Sequence, residues 1–586
     1  MGNYPYRPVL NWRFLKRHRA LLMALPLLTG ILAILSPLSF SDFTYTVPGI
    51  AAPDSTIPDQ PTVSDEVPET RDPGPMEQAA ALLARMSNEE ALAQTFMLGW
   101  VGAEPSPLII NWIQERHIGG VKIFGWNTDD THKLAKTVGE LQQASLGGKY
   151  ALPLLVATDQ EGGWIRHVKG ATSETPGNMA IGASGYPQDA YLAGYYIGKE
   201  LAALGINMNF APTVDLFTNR FSSLIGPRAF GSNPTQAGIL GAAFMKGQMA
   251  AGIIPTAKHY PGHGDTDLDS HGVLPRIDAS FEVLWERELV PYRILVREGL
   301  PAVMSGHLAF PQTEAASTPA SLSSYFLKEI LRDRIGHQGL IITDDLMMNG
   351  ATTHAGSISQ AVKQALLAGN DIVLLSTTPN LSDPVWTALV RSMEEEDEFR
   401  ERVRDAARRV LEVKFSRLRG EVPYIPDLEK LSGELTNPEG AAFFLDLAVR
   451  SVTLIRGEPL KAENTGRLLI AGPYDDFFRA GKAAYPEAET YRWSSGRQIQ
   501  NFVRLAQNSD TVIFCLSDAE GLNFLRSIQD LNKQVIVISV LNPVYLESVP
   551  WVNGAIAVYS YSPESFTAAF SVLTGRIGAG GKLPYD

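Results

Sequence analysis

Between residues 76 and 415 the chain alternates short apolar runs with longer amphipathic stretches. The apolar runs are TFMLGWV (95–101), GGVKIFG (119–125), LPLLVATD (152–159), INMNFAPTVD (206–215), IIPTAKH (253–259), PAVMSGH (301–307), GLIITD (339–344) and DIVLLS (371–376). Their near-continuous apolar character predicts strands covered on both faces, as in a parallel sheet. Helical periodicity fills the gaps at 105–117, 130–145, 187–204, 234–250, 281–298, 323–334 and 357–368, with a last stretch at 394–415. Strands alternating with helices eight times over predict an α/β fold closed into a (β/α)8 TIM-type barrel. Polar residues stand at the C-terminal ends of five of these strands: Asp159, Asp215, Lys258 with His259, His307, and Asp344. One charge at a strand end marks only where the strand leaves the core. In a barrel, however, all strand C-termini share one rim, where a charge escapes the cost of burial by facing a pocket. Five together predict a site.

After residue 415 the pattern thins into a connector (416–439) containing GEVPYIPDLEKLSGELTNPEG. A second region spans 440–586. AAFFLDLAVRSVTLI reads as a helix entering a strand, and RLLIAG, DTVIFCL, QVIVISV and GAIAVYS recur as apolar strands. This predicts a smaller α/β sandwich domain with an open sheet.

The other end of the chain has a different character. Arg7, Arg13, Lys16, Arg17 and Arg19 precede ALLMALPLLTGILAILSPLSF (20–40), which carries no charge. Residues 1–40 therefore read as a signal peptide or as an uncleaved membrane anchor. Either reading predicts an exported protein, periplasmic or extracellular; the second also predicts membrane attachment. Residues 41–75 are proline-rich and include DEVPETRD, the composition of an extended, solvated linker.

Composition narrows the classes of partner. The formal net charge of −13 argues against nucleic acid, whose binders carry a basic footprint. The single cysteine, Cys515, permits no internal disulfide and no cysteine-based zinc site. Oligomeric state is not readable from these features.

The densest chemistry lies in KHYPGHGDTDLDSH (258–271). His259 and His263 are four apart, but Pro261 and Gly262 between them disfavour the helix that would put both on one metal-binding face. A loop gathering His259, His263, Asp269 and His271 around a metal stays open. A phosphate cradle is weaker, because no Gly-Lys-Ser/Thr follows the glycines. In the third reading, Asp269 and His271 flank Ser270 and point the same way in an extended segment. A carboxylate beside an imidazole makes a proton shuttle for work near neutral pH.

These fourteen residues closely resemble the signature of the β-N-acetylhexosaminidases of glycoside hydrolase family 3, roughly K-H-[FIY]-P-G-H-G-x-T-x-x-D-S-H. Further blocks similar to that family follow in order: GGVKIFGWN, TDQEGGWIR, NMNFAPTVDL, IGPRAFGSNP, VMSGHLAFP and GLIITDDLMM. The resemblance implies hydrolysis of a carbohydrate substrate without metal or other cofactor. It implies Asp344 as nucleophile and His271 as general acid/base, with Asp269 as its partner. Asp159, Arg228, Lys258 and His259 would hold the sugar. The local pattern alone does not choose Asp344 over Asp345. The chain departs from the family after DQEGG, where the family often has an arginine further along, followed by an apolar residue. Here Trp164-Ile165-Arg166-His167 stands, so Arg166 from a shifted position, or His167, would make that contact. The resemblance also implies a terminal β-linked N-acetylglucosamine as substrate, drawn from peptidoglycan fragments or chito-oligosaccharides. Its rivals are a β-glucosidase or β-xylosidase taking its acid from the second domain, with Glu520 as candidate, a phosphorylase, and a non-catalytic glycan-binding protein.

Overall fold

A computed structural model describes residues 73–128, 130–222, 224–266, 273–418, 424–435 and 437–585. Residues 1–72, the expected export segment and most of the linker, lie outside the described residues. Among the described residues no helix is long and apolar enough to cross a membrane.

Eight parallel strands close into a barrel: β1 (Phe96–Gly99), β2 (Gly120–Lys122), β3 (Leu155–Thr158), β4 (Met208–Asn209), β5 (Ile254–Tyr260), β6 (Ala302–Ser305), β7 (Leu340–Asp345) and β8 (Ile372–Leu375). Each pairs with its neighbour in sequence, and β1 pairs with β8 to complete the ring. The interior is filled by Met97, Leu155, Ala157, Met208, Phe210, Ile254, Met304, Ile342 and Leu374, so the barrel is a packed core and not a pore. The helix Asp397–Arg417 sends Val410 into that cluster.

Some elements depart from the expected pattern. The run 206–215 forms only a two-residue strand. Pro212 has no N–H for the ladder, and a lone bridge from Thr213 to Lys258 carries the pairing on towards Asp215. The stretch 281–298 is two helices, Phe281–Glu286 and Leu289–Arg297. The stretch 323–334 winds as a π-helix over Tyr325–Arg334.

The second domain is a six-stranded sheet in the order β9-β14-β13-β12-β10-β11. Its strands are β9 (Thr453–Arg456), β10 (Leu468–Gly472), β11 (Glu489–Arg492), β12 (Thr511–Leu516), β13 (Gln534–Ser539) and β14 (Gly554–Ala557). Only β9 runs antiparallel to its neighbour. Apolar clusters cover both faces, as in an α/β sandwich. The domain docks on the barrel through a shared core of Met179, Ala183, Phe217 and Ile225 with Val544 and Tyr559. Arg450 also binds Asp189 at 2.6 Å.

Candidate active site

The strand ends at the C-terminal rim bring most of the expected residues into one buried network. Lys258, in the last turn of β5's extended run, donates from Nζ to Asp159 Oδ1 at 2.5 Å and lies 2.6 Å from Glu161 Oε1. Glu161 sits on a short hairpin, Gln160–Gly162 with Ile165–Arg166, that follows β3 directly. Arg228 reaches it from the turn Gly226–Arg228 with two parallel bonds of 2.9 and 2.8 Å. Such paired geometry is the strongest an arginine makes with a carboxylate. Burial raises the pKa of Glu161, but Arg228 and Lys258 outweigh it and bring it down to about 2. Asp159 behaves alike: burial pushes it up, and Lys122 and Lys258 hold it well below the usual carboxylate range.

His259 links this network to Asp215. Its Nδ1 lies 2.6 Å from Asp215 Oδ2, and its Nε2 faces Arg228 Nη2 at 3.4 Å. An arginine only donates, so Nε2 accepts and Nδ1 donates to the carboxylate. Asp215 also accepts the backbone N–H of His263 at 2.7 Å and so fixes the start of the 262–266 loop. At Gly264 a Cβ would stand 1.9 Å from the carbonyl oxygen of Leu216. Only glycine lets the loop lie this close to the chain that follows β4.

Asp344 and Asp345 close β7 and part ways. Asp345 Oδ1 accepts the backbone N–H groups of Met347 and Ser376, each at 3.0 Å, tying down the loops after β7 and β8. Asp344 accepts only the N–H of Asp345, at 2.8 Å, among the described residues. Burial raises its pKa, but His259 and His307, then that N–H and Lys258, outweigh this and lower it. An ionised carboxylate with an uncommitted oxygen is what a nucleophile requires. His307 supports the strand end: Nε2 lies 3.1 Å from the Asp345 carbonyl, and Nδ1 lies 2.7 Å from Ser321 Oγ.

Lys122 and Glu161 are members of this network beyond the residues expected from the sequence. Lys122 ends β2 with its side chain 1% exposed, and its Nζ stands 2.7 Å from Asp159 Oδ2. A lysine in the otherwise apolar run GGVKIFG was the available signal, since an unpaired ammonium there would be costly. His167 Nδ1 lies 3.3 Å from the same ammonium and 3.6 Å from Asp159. Burial and then Lys122 bring its pKa down to about 4, so the ring is neutral at physiological pH. Arg166 is not brought into this cluster. Its guanidinium donates to the carbonyls of Thr172 and Ser173 and to Glu174, within its own loop. Of the two residues expected to fill the departure after DQEGG, the structure sets His167 beside Asp159. His271 and Asp269 lie outside the described residues. Glu520, the candidate acid of the second domain, is exposed at the start of the helix Ala519–Arg526.

A closed parallel barrel with carboxylates and cations converging on its C-terminal rim is the architecture of a TIM-barrel enzyme. The chain belongs to glycosyl hydrolase family 3: residues 89–413 match the model of the family's N-terminal domain. It is similar to beta-hexosaminidase A of Pseudoalteromonas piscicida, 37% identical over 286 residues, covering 46% of this chain and 47% of that protein. The chain thus spans about half the length of that relative. It is 27% identical over 550 residues to the beta-N-acetylglucosaminidase/beta-glucosidase of Cellulomonas fimi, covering 86% of this chain and 94% of that one. Among solved structures, a family 3 β-N-acetylglucosaminidase from Paenibacillus sp. str. FPU-7 superposes with a TM-score of 0.78 at 29% identity, covering 86% of this chain and 99% of that one.

Proposed function

We propose that the protein is a retaining, exo-acting β-N-acetylglucosaminidase, exported from the cell, that removes terminal β-linked N-acetylglucosamine from peptidoglycan fragments or chito-oligosaccharides. The observation that carries this is the contrast at the end of β7: Asp345 Oδ1 accepts two backbone N–H groups and is tied to the loops after β7 and β8, while Asp344 accepts, among the described residues, only the N–H of Asp345 and feels the charges of His259, His307 and Lys258. Asp344 attacks the anomeric carbon, and the glycosidic C–O bond breaks as an ester to the sugar forms. His271, partnered by Asp269, gives its proton to the leaving oxygen. It then takes one from the water that hydrolyses the ester. Using an imidazole in place of a second carboxylic acid avoids crowding two anions at one site. Asp159, Lys258, Arg228 and His259 bind the hydroxyl and carbonyl oxygens of the terminal sugar.

The similarity to relatives named beta-hexosaminidase and β-N-acetylglucosaminidase supports the N-acetylated substrate. The double name of the Cellulomonas fimi relative favours β-glucosidase activity as the second reading. Release of nitrophenol from the nitrophenyl β-N-acetylglucosaminide and from the β-glucoside separates the two. We expect the N-acetylated substrate to win by at least ten-fold in kcat/KM; a preference for the glucoside would reverse the reading. Mass analysis after incubation with a GlcNAc-β-1,4-anhydro-muropeptide tests the peptidoglycan source.

A further inference from the structure

Arg228 stands on the boundary between the two domains. Its guanidinium faces the site, with paired bonds to Glu161 and a 3.4 Å approach to His259. Its neighbours in the chain face the other way. Ile225 and Ala229 pack in one apolar cluster with Val544 and Tyr559 of the second domain, and Leu224 and Tyr585 border it. The loop that carries Arg228 is closed where Phe217 donates its N–H to the carbonyl of Gly231 at 2.9 Å. Residues 584–585 lie against that closure. The ring centroids of Tyr585 and Phe217 are 5.0 Å apart, and the Arg220 guanidinium stands 5.7 Å from the Tyr585 centroid. The carbonyl of Pro584 accepts the N–H of Ser232 at 3.0 Å. A Cβ on Gly231 would stand 2.2 Å from that same carbonyl oxygen, so only glycine permits the approach. A guanidinium bonded through two parallel N–H groups needs a fixed backbone behind it, because displacement breaks both bonds together.

We propose that Tyr585 is a positioning residue for sugar binding: it fixes the loop behind Arg228, so that the guanidinium meets Glu161 and the terminal sugar in one geometry. The second domain then contributes to the affinity of the barrel for its substrate. This rests on the glycosidase reading above. Tyr585 acts through Arg228 and not by contact with the sugar. Docking of the domains has other support, including the bond from Arg450 to Asp189. Removing the Tyr585 ring therefore loosens the loop and leaves the domains joined.

The test compares wild type, Tyr585→Ala and Tyr585→Phe in the full chain, the first two also in the Arg228→Lys background. The substrate is nitrophenyl β-N-acetylglucosaminide, with N-acetylglucosamine as competing product. For Tyr585→Ala we expect KM and the inhibition constant of N-acetylglucosamine to rise together on the order of five- to ten-fold, with kcat within about two-fold of wild type, the pattern of lost ground-state binding. Tyr585→Phe keeps the ring and should stay within about two-fold of wild type in KM. Arg228→Lys keeps the charge and loses the paired bonds. In that background Tyr585→Ala should add less than about two-fold to KM, because residues acting through one contact are not additive. An unchanged KM in Tyr585→Ala, a loss confined to kcat or to melting temperature, or full additivity with Arg228→Lys would overturn the proposal. A wild-type enzyme that releases no nitrophenol would overturn the glycosidase reading itself, and this proposal with it.

Discussion

Asp159 takes one buried ammonium group on each carboxylate oxygen, Lys258 on Oδ1 and Lys122 on Oδ2. Lys258 has a second anion in Glu161, while Lys122 has, among the described residues, only Asp159 as an ion pair. In the proposed reaction Lys122 is a positioning residue, acting through Asp159 and the neutral His167 beside it. Lys122→Met removes a cation that lowers the Asp159 pKa, so that pKa rises. The acid limb of kcat/KM should then move to higher pH, and KM should rise at least ten-fold; an unchanged pH profile would assign Lys122 to packing alone. Arg166→Ala, whose guanidinium is held in its own loop, should change KM less. At the end of β7 the two aspartates separate similarly. Asp344→Ala should lower kcat by more than about 10⁴-fold, in the range of lost nucleophiles. Asp345→Ala frees two loop N–H groups and should cost less; the reverse order would move the nucleophile to Asp345.

Among the elements, what the sequence showed and what it hid have physical reasons. The eight apolar runs were readable because strands buried on both faces need continuous apolar residues. The acids and bases of the rim were readable because a charge ending such a run has few other places to go. Lys122 and Glu161 were hidden because their justification is a partner distant in sequence: Lys122 needs Asp159, and Glu161 needs Arg228. The shortness of β4 was hidden behind an apolar run that Pro212 interrupts. The helix Asp397–Arg417 carries a further buried lysine with no ionic partner among the described residues. Lys414 is 2% exposed, and its Nζ donates to Gln94 Oε1 at 3.1 Å. Burial alone brings its pKa down to about 7. In the unfolded chain it titrates near the ordinary lysine value of about 10.4. Between those two values the unfolded state binds a proton that the folded state does not, so stability rises with pH across that window. Lys414→Met should remove this rise in urea-unfolding midpoints between about pH 7 and 10. An unchanged slope would show that Lys414 stays charged when folded.

At the scale of the whole molecule, the second domain buttresses the loop that delivers Arg228. Tyr585 packs on Phe217 at 5.0 Å, and the carbonyl of Pro584 accepts the N–H of Ser232 at 3.0 Å. Asn542 donates to the carbonyl of Arg220, which itself pairs with Glu547. Residues from the C-terminal part of the second domain thus hold 217–222 and 224–232 against the barrel, and Arg228 carries that order to Glu161 and Lys258. The two domains were separable in the sequence because the connector breaks the apolar pattern. Their docking was not, because it rests on small and aromatic residues such as Ala183, Gly231 and Tyr585 that carry no periodic signal. In the proposed reaction the Asp344 carboxylate at the end of β7 forms the bond to the sugar. The direct measurement is azide rescue of Asp344→Ala with dinitrophenyl β-N-acetylglucosaminide, the product's anomer read by NMR. Azide entering the space left by the carboxylate should restore turnover and give the α-glycosyl azide. A β-glycosyl azide, or full activity without azide, would contradict the assignment of Asp344 as nucleophile.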